Sequence, residues 1–71
     1  MILEKLMALI CEELGMDSSD IDENSLLDDL FNDEFELQEF AEVVNQAFEI
    51  EVMPETEWSI SDYADAVSQA Y

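Results

Sequence analysis

The sequence predicts an all-α protein, a small bundle of three main helices plus a short turn of helix. Two observations predict it: 49% of the residues are hydrophobic, and in three segments they recur at spacings of three and four, the period of an amphipathic helix. A chain of 71 residues is too short for two independent cores. We therefore expect residues 1–71 to form a single domain.

The first helix is predicted from Ile2 to Leu14. Gly15 follows it as a natural left-handed C-terminal residue. Cys11 lies on the flank of the apolar stripe, so we expect a half-buried small hydrophobe rather than a reactive thiol, and a single cysteine allows no internal disulfide. The stripe consists of Leu3, Leu6, Met7, Ile10 and Leu14.

A long ordered loop is predicted over residues 16–24, because this segment is polar and only Ile21 is strongly apolar. The following residues, 25–30, predict a short turn of helix with its leucines pointing inward. Those leucines are Leu26, Leu27 and Leu30.

The second main helix is predicted to begin after Asp33. Asp33 and Glu36 have the spacing of a capping box, in which each side chain accepts from a backbone N–H of the helix start. The apolar stripe of this helix contains Leu37, Phe40, Ala41, Val44 and Phe48.

Pro54 prevents a helix from continuing through it, so residues 49–53 are expected to be extended. A turn over residues 55–58 then leads to the third main helix, which begins near Ser59 with Asp62 at capping-box spacing. Its predicted inner face contains Ile60, Ala64, Val67 and Tyr71.

The charge is strongly one-sided, with 1 Lys or Arg against 20 Asp and Glu, no His and a net charge of −19. Such a field repels nucleic acid and anionic lipid and attracts basic protein surfaces. The alternative is that the acids confer only solubility, although a solvated surface normally mixes both signs. From the charge we expect basic protein partners and no nucleic acid. The lone cysteine and the lack of an apolar run long enough to span a bilayer predict a cytoplasmic location without membrane insertion, and we expect a monomer.

The composition argues against an enzyme and against a metal centre, so we expect no catalytic and no metal-binding residues. Without histidine there is no Ser-His or Cys-His pair, and a single glycine cannot form a phosphate-binding loop. A paired-carboxylate hydrolase has little room for a buried cleft. The run from Asp20 to Asn24 imitates a calcium loop, but Ser25 replaces its glycine and Phe31 its final glutamate.

In order, the elements are a helix ending at Gly15, a long loop, the segment Ser25 to Leu30, an acidic capped helix, Pro54 and a last amphipathic helix. This order resembles the acyl carrier protein family along essentially the whole chain. The resemblance implies contact with enzymes of acyl or peptide assembly through the second helix. It also implies a Gly-x-Asp-Ser-Leu motif whose serine carries 4′-phosphopantetheine.

The chain departs from that motif at the modified position. Phe31 stands where the family has glycine, and Glu34 stands where it has the serine, so we expect no phosphopantetheine. The alternative frame, Gly15 to Ser19, offers Ser18 or Ser19 as a modified serine, but a polar run follows it rather than an amphipathic helix. The residues that match the family are Leu30, Asp33, Glu36, Glu39 and Phe48, and Phe35 stands at the position of the family's leucine.

Phe35 is the distinctive residue of the second helix. At 100° per residue it lies nearly opposite the apolar stripe, so we expect an exposed ring surrounded by carboxylates. An isolated exposed ring is the plain alternative, whereas an aromatic anchor within charged residues is typical of docking surfaces. We predict a docking or regulatory module whose partner-binding residues are Asp33, Glu34, Phe35, Glu36, Gln38, Glu39 and Glu42.

Overall fold

The computed structural model of the protein describes residues 2–71. Its helices are α1 Ile2–Leu14, α2 Leu27–Leu30, α3 Glu34–Phe48 and α4 Ile60–Ala70, with a 3₁₀ turn over Ser18–Asp20. Within residues 2–71 there is no β-strand, and the principal extents are 26 × 25 × 19 Å. The prediction of an all-α bundle with three main helices and a short turn of helix is confirmed.

Helix α1 packs against both α3 and α4. It does so through Leu6 and Ile10, which are fully buried, while Cys11 at the edge of this face is half-buried as expected. The helix ends at Gly15, whose φ of 66° is left-handed, a conformation that glycine adopts without steric penalty. The predicted bounds of the first helix are therefore confirmed.

Backbone hydrogen bonds join the segment around α2 to the start of α4. The Leu27 N–H donates to the Trp58 carbonyl at 2.9 Å, and the Ile60 N–H donates to the Ser25 carbonyl at 3.0 Å. These bonds connect the loop before α2 to the turn before α4. They satisfy backbone groups of both segments that no helix pairs.

One prediction for α2 is wrong. Leu27 is fully buried and Leu30 is half-buried, but Leu26 is 43% exposed. Leu26 is the extended residue before α2 and forms an isolated antiparallel bridge with Ser59. Since neighbouring side chains of an extended segment point to opposite sides, Leu26 faces outward when Leu27 faces the core.

Helix α3 buries all five residues of its predicted stripe, which confirms the face that it turns to the core. Phe40 is central: its ring lies 5.3 Å from that of Phe31 and 6.3 Å from that of Tyr63. The helix ends at Glu49, whose φ of 57° is left-handed. A non-glycine residue in this conformation carries backbone strain.

Helix α4 begins with the predicted capping box. The Asp62 N–H donates to Ser59 Oγ at 3.2 Å, and the Ser59 N–H donates to Asp62 Oδ2 at 3.1 Å. The prediction for Tyr71 is wrong, because this residue lies beyond the last helical residue and is 75% exposed. Its ring contacts Phe48 edge-on, with 5.7 Å between centroids.

Tyr63 is a core residue that the spacing argument missed. Its side chain is fully buried among aromatic rings, and its hydroxyl has no hydrogen-bond partner within residues 2–71. Burial raises the pKa of the Tyr63 phenol above its ordinary value, because the charged form is not solvated there.

The hydrophobic core contains residues from all four α-helices and from the segments that connect them. Around Tyr63 and Phe40 it contains Leu6, Ile10, Ile21, Leu27, Phe31, Leu37, Val44, Phe48, Ile50, Ile60, Ala64 and Val67.

None of the helices within residues 2–71 has the length and the apolar character that a membrane span requires.

Candidate docking surface

The start of α3 is fixed by Asp33. Its Oδ1 accepts from the Glu36 N–H at 2.9 Å, which confirms Asp33 as the N-cap residue. The reciprocal bond of the predicted capping box is displaced by one residue, since Glu36 Oε2 accepts from the Asn32 N–H at 3.0 Å and not from that of Asp33. The two carboxylates therefore hold the chain on both sides of the helix start.

Phe35 is 76% exposed in the first turn of α3, as the sequence predicts. The fully buried Phe40 and Val44 occupy the opposite side of the same helix. An aromatic side chain of this size normally contributes to a core. Here the cap residue and the stripe fix the rotation of the helix, and that rotation leaves the Phe35 ring in solvent.

All the side chains predicted to meet a partner are exposed in the structure. At 100° per residue, Gln38, Glu39 and Glu42 lie within about 60° of Phe35, and Glu34 and Glu36 lie about 100° to either side. The surface that they form with Asp33 is an apolar ring bordered by carboxylates. We call these residues the α3 docking surface: Asp33, Glu34, Phe35, Glu36, Gln38, Glu39 and Glu42.

The structure places two further residues, Glu13 and Phe31, beside the α3 docking surface, a position that the sequence did not indicate for either. Glu13, near the end of α1, lines a groove with Phe31, Glu36 and Glu39. Phe31 is 4% exposed and belongs to the core. The periodicity of α1 marks Glu13 only as a solvent-facing acid, because nothing in the local pattern says which helix it will meet.

Glu34 is the first residue of α3 and is exposed. A carboxylate cannot form the phosphodiester through which the family's serine holds phosphopantetheine, so residue 34 does not fit that group. Ser18 and Ser19 do have hydroxyls and are exposed, but they lie in the 3₁₀ turn after α1. Within residues 2–71 no three His, Cys, Asp or Glu side chains are placed to hold a metal ion.

The fold and the surface define a small acidic helical bundle with an exposed aromatic residue on its longest helix. The acyl carrier protein of Clostridium acetobutylicum is 32% identical over 69 residues, which cover 96% of this chain and 90% of that protein. The acyl carrier proteins of two strains of Streptococcus pneumoniae are 34% identical over 56 residues, covering 79% of this chain and 76% of each. No family model and no solved structure matches. The chain belongs to the acyl carrier protein family.

Proposed function

We propose that this protein is an acyl-carrier-like docking or regulatory module that has no prosthetic arm and catalyses no reaction. It binds basic surfaces of enzymes in acyl or peptide assembly through the α3 docking surface. The observation that carries the proposal is Phe35, 76% exposed among carboxylates at the start of α3. Membership of the acyl carrier protein family supports the class of partner.

Charge and apolar contact have separate tasks on such a surface. With a net charge of −19, the protein accelerates its encounter with a basic surface by long-range attraction. That attraction is weakened by salt and has little geometric specificity. Phe35 supplies the specific part, because a large rigid ring that enters a partner's pocket becomes desolvated and slows dissociation.

Glu34 supports the absence of an arm by its chemistry. Its carboxylate keeps one negative charge at the start of α3, where it also interacts favourably with the helix dipole. It has no hydroxyl for a phosphopantetheinyl group and no reach into an enzyme's active site. A protein of this kind can occupy or regulate the carrier site of an enzyme without delivering a substrate.

The second candidate function is a working carrier that holds 4′-phosphopantetheine on Ser18 or Ser19. The exposure of both hydroxyls favours it, since a transferase can reach them. The relatives named acyl carrier protein favour it as well. Against it stands the position of these serines, in a one-turn 3₁₀ helix and not at the start of an amphipathic helix.

The test is a kinetic comparison after a partner has been captured from the source cell with the wild-type protein. Phe35→Ala is expected to speed dissociation and to weaken binding about 5- to 150-fold, equivalent to about 1–3 kcal/mol. Changing Glu36, Glu39 and Glu42 together to Gln is expected to slow association and to reduce its salt dependence.

The matched control is Met53→Ala, which removes an apolar side chain that is 58% exposed but lies outside α3. It should leave both rate constants unchanged. If Phe35→Ala and Met53→Ala have the same effect on dissociation, the α3 docking surface is not the site of contact.

A further inference from the structure

A second groove, of about 170 Å³, lies where the start of α1 meets the end of α3. The groove that Glu13 lines is at the other end of the same contact, so α1 and α3 run antiparallel along it. We call the second site the Lys5 groove. It is lined by Lys5, Ala8, Leu9, Ala47 and Phe48.

The accessible lining of the Lys5 groove is mainly apolar. Ala8 and Ala47 are exposed and Leu9 is half-buried. Phe48 is only 6% exposed and belongs to the core beneath, so the accessible surface comes from the other side chains. An apolar group of another molecule that enters this space leaves water, which favours binding in proportion to the area covered.

Lys5 borders this apolar surface and is the single Lys or Arg of the chain. Its Nζ lies 5.9 Å from the ring centre of Phe48, a distance at which an aromatic ring attracts a cation. Within residues 2–71 Lys5 forms no ion pair with a carboxylate. Because Lys5 is exposed, its ammonium is accessible to an anionic group of another molecule.

Charge selects the occupant of the Lys5 groove. Elsewhere on this protein a partner's carboxylate meets no positive side chain, because the other 20 charged side chains are Asp and Glu. Beside Lys5 it meets an ammonium, and in 0.15 M salt the screening length of about 8 Å weakens the repulsion from more distant acids. The Lys5 groove is therefore the site on this chain that best accommodates an acidic group next to an apolar one.

The size of the groove favours a protein side chain over a lipid. At about 30 Å³ for each water, it has the volume of about six waters, which suits one leucine-sized side chain. Pockets that bury most of a larger ligand have volumes of about 300–1,000 Å³. A long acyl chain would therefore remain largely in water at this site.

We propose that the Lys5 groove is a second contact surface, which binds a partner segment that presents a leucine-sized aliphatic side chain next to a carboxylate. The aliphatic side chain packs between Ala8 and Ala47, and the carboxylate pairs with the Lys5 ammonium. Ala47 lies about 120° around α3 from Phe35 and about 18 Å along the helix axis. The Lys5 groove is thus separate from the α3 docking surface, and the inference goes beyond the proposed function without resting on it.

The test titrates the ¹⁵N-labelled full chain, in about 0.15 M NaCl, with three small ligands. N-acetyl-leucine has the aliphatic side chain and the carboxylate, N-acetyl-leucine amide lacks the carboxylate, and N-acetyl-alanine lacks the larger side chain. We expect N-acetyl-leucine to bind about two- to fivefold more tightly than its amide and about fivefold more tightly than N-acetyl-alanine. Its saturable shifts should be centred on the amides of Lys5, Ala8, Leu9 and Ala47.

Each comparison of ligands can overturn the proposal. Equal affinities for N-acetyl-leucine and its amide would show that the Lys5 ammonium takes no part. Equal affinities for the leucine and alanine derivatives would show that the apolar surface takes no part. Absence of saturable shifts at these amides, up to the solubility limit of N-acetyl-leucine, would remove the site.

Two substitutions at adjacent exposed residues locate the site. Ala47→Leu places a larger side chain in the groove, whereas Gln46→Leu adds the same side chain at a residue that does not line it. Leucine is a good helix former, so both variants should keep the fold, which circular dichroism checks. We expect Ala47→Leu to weaken binding of N-acetyl-leucine at least about fivefold and Gln46→Leu to change it less than about twofold.

Equal effects of Ala47→Leu and Gln46→Leu would contradict the assignment of the groove. Neither variant alters Phe35, so the kinetics of Phe35→Ala with a captured partner remain an independent test of the proposed function. Binding of N-acetyl-leucine in the Lys5 groove, with partner dissociation unchanged by Phe35→Ala, would support this inference and contradict the proposed function.

Discussion

The rings of Phe31 and Phe40 pack against each other with 5.3 Å between their centroids and 34° between their planes. Phe31 lies directly after α2, and Phe40 lies in the middle of α3, so this contact closes the core between the two helices. Four residues after Phe31, Phe35 has the same side chain but is 76% exposed. Phe31 and Phe35 are thus two phenylalanines four residues apart, of which the first packs in the core and the second lies on the surface.

Phe31→Ala is expected to lower the free energy of unfolding by about 3–5 kcal/mol, the usual range for truncating a buried phenylalanine. Because the total for a small domain is about 5 kcal/mol, the variant should be largely unfolded at 37 °C. Phe35→Ala, the same substitution on an exposed ring, should change it by less than about 0.5 kcal/mol. Thermal unfolding followed by circular dichroism measures both. A strongly destabilised Phe35→Ala would place that ring in the core.

Tyr63→Phe is expected to raise the free energy of unfolding by about 1 kcal/mol, because it removes a buried hydroxyl that has no partner within residues 2–71. Above pH 10 the variant should also lose stability less steeply than the wild type. Burial raises the pKa of Tyr63 in the folded state. The contribution of the Tyr63 hydroxyl to stability is therefore constant below its pKa in the unfolded chain, about 10, and becomes less favourable as the pH rises above that value.

The measurement for Tyr63 is urea denaturation at pH 7 and at pH 11. The control is Tyr71→Phe, which removes the hydroxyl of a tyrosine that is 75% exposed and should leave stability unchanged at both pH values. Destabilisation by Tyr63→Phe at pH 7 would mean that the hydroxyl has a hydrogen-bond partner, such as an internal water.

Glu49→Gly is expected to stabilise the protein by about 1 kcal/mol. Glu49 has a φ of 57°, which glycine adopts without the steric cost that other residues meet, and its loss removes a negative charge from the C-terminal end of α3. The melting temperature should rise by about 4–8 °C. Glu51→Gly makes the same chemical change at a residue without positive φ and should be neutral or destabilising. Equal shifts for the two variants would contradict the strain argument.

Added salt is expected to raise the melting temperature. In 0.01 M salt the screening length of about 30 Å exceeds the largest extent of the molecule, 26 Å, so all carboxylates repel one another. At 0.1 M it is about 10 Å and only neighbours interact. Differential scanning calorimetry in NaCl and in KCl should show the same rise, since screening depends on ionic strength. A melting temperature that does not change from 0.01 to 0.1 M would contradict self-repulsion as a large term.

Local signals predicted the main helices well. The stripe of α3 and the caps Asp33 and Ser59 are confirmed because capping and helical spacing depend on residues only three or four apart. The predictions for Leu26 and Tyr71 were wrong. Leu26 faces outward because it is extended and forms a β-bridge with the distant Ser59, and Tyr71 is exposed because α4 ends before it. Tyr63 was missed because the predicted stripe passed from Ile60 to Val67 through Ala64 alone, although Tyr63 lies three residues after Ile60 and four before Val67 and so shares their face.

The docking surface was predictable only in part. The exposure of Phe35 follows from the rotation of α3, which its own sequence determines. The groove that Glu13 lines with Phe31 was not predictable, because these two residues come together through tertiary packing of separate segments. Helical spacing specifies which face of α1 is polar and leaves open which helix lies beside it.

Intact-mass spectrometry tests most directly whether the chain works without a prosthetic arm. The protein is incubated with a phosphopantetheinyl transferase and coenzyme A, beside a conventional acyl carrier protein that must gain mass under the same conditions. Because Glu34 has no hydroxyl to accept the group, we predict that the mass of this protein stays unchanged. A gain of one phosphopantetheine that maps to Ser18 or Ser19, and that disappears in the variant with both changed to Ala, would contradict the account.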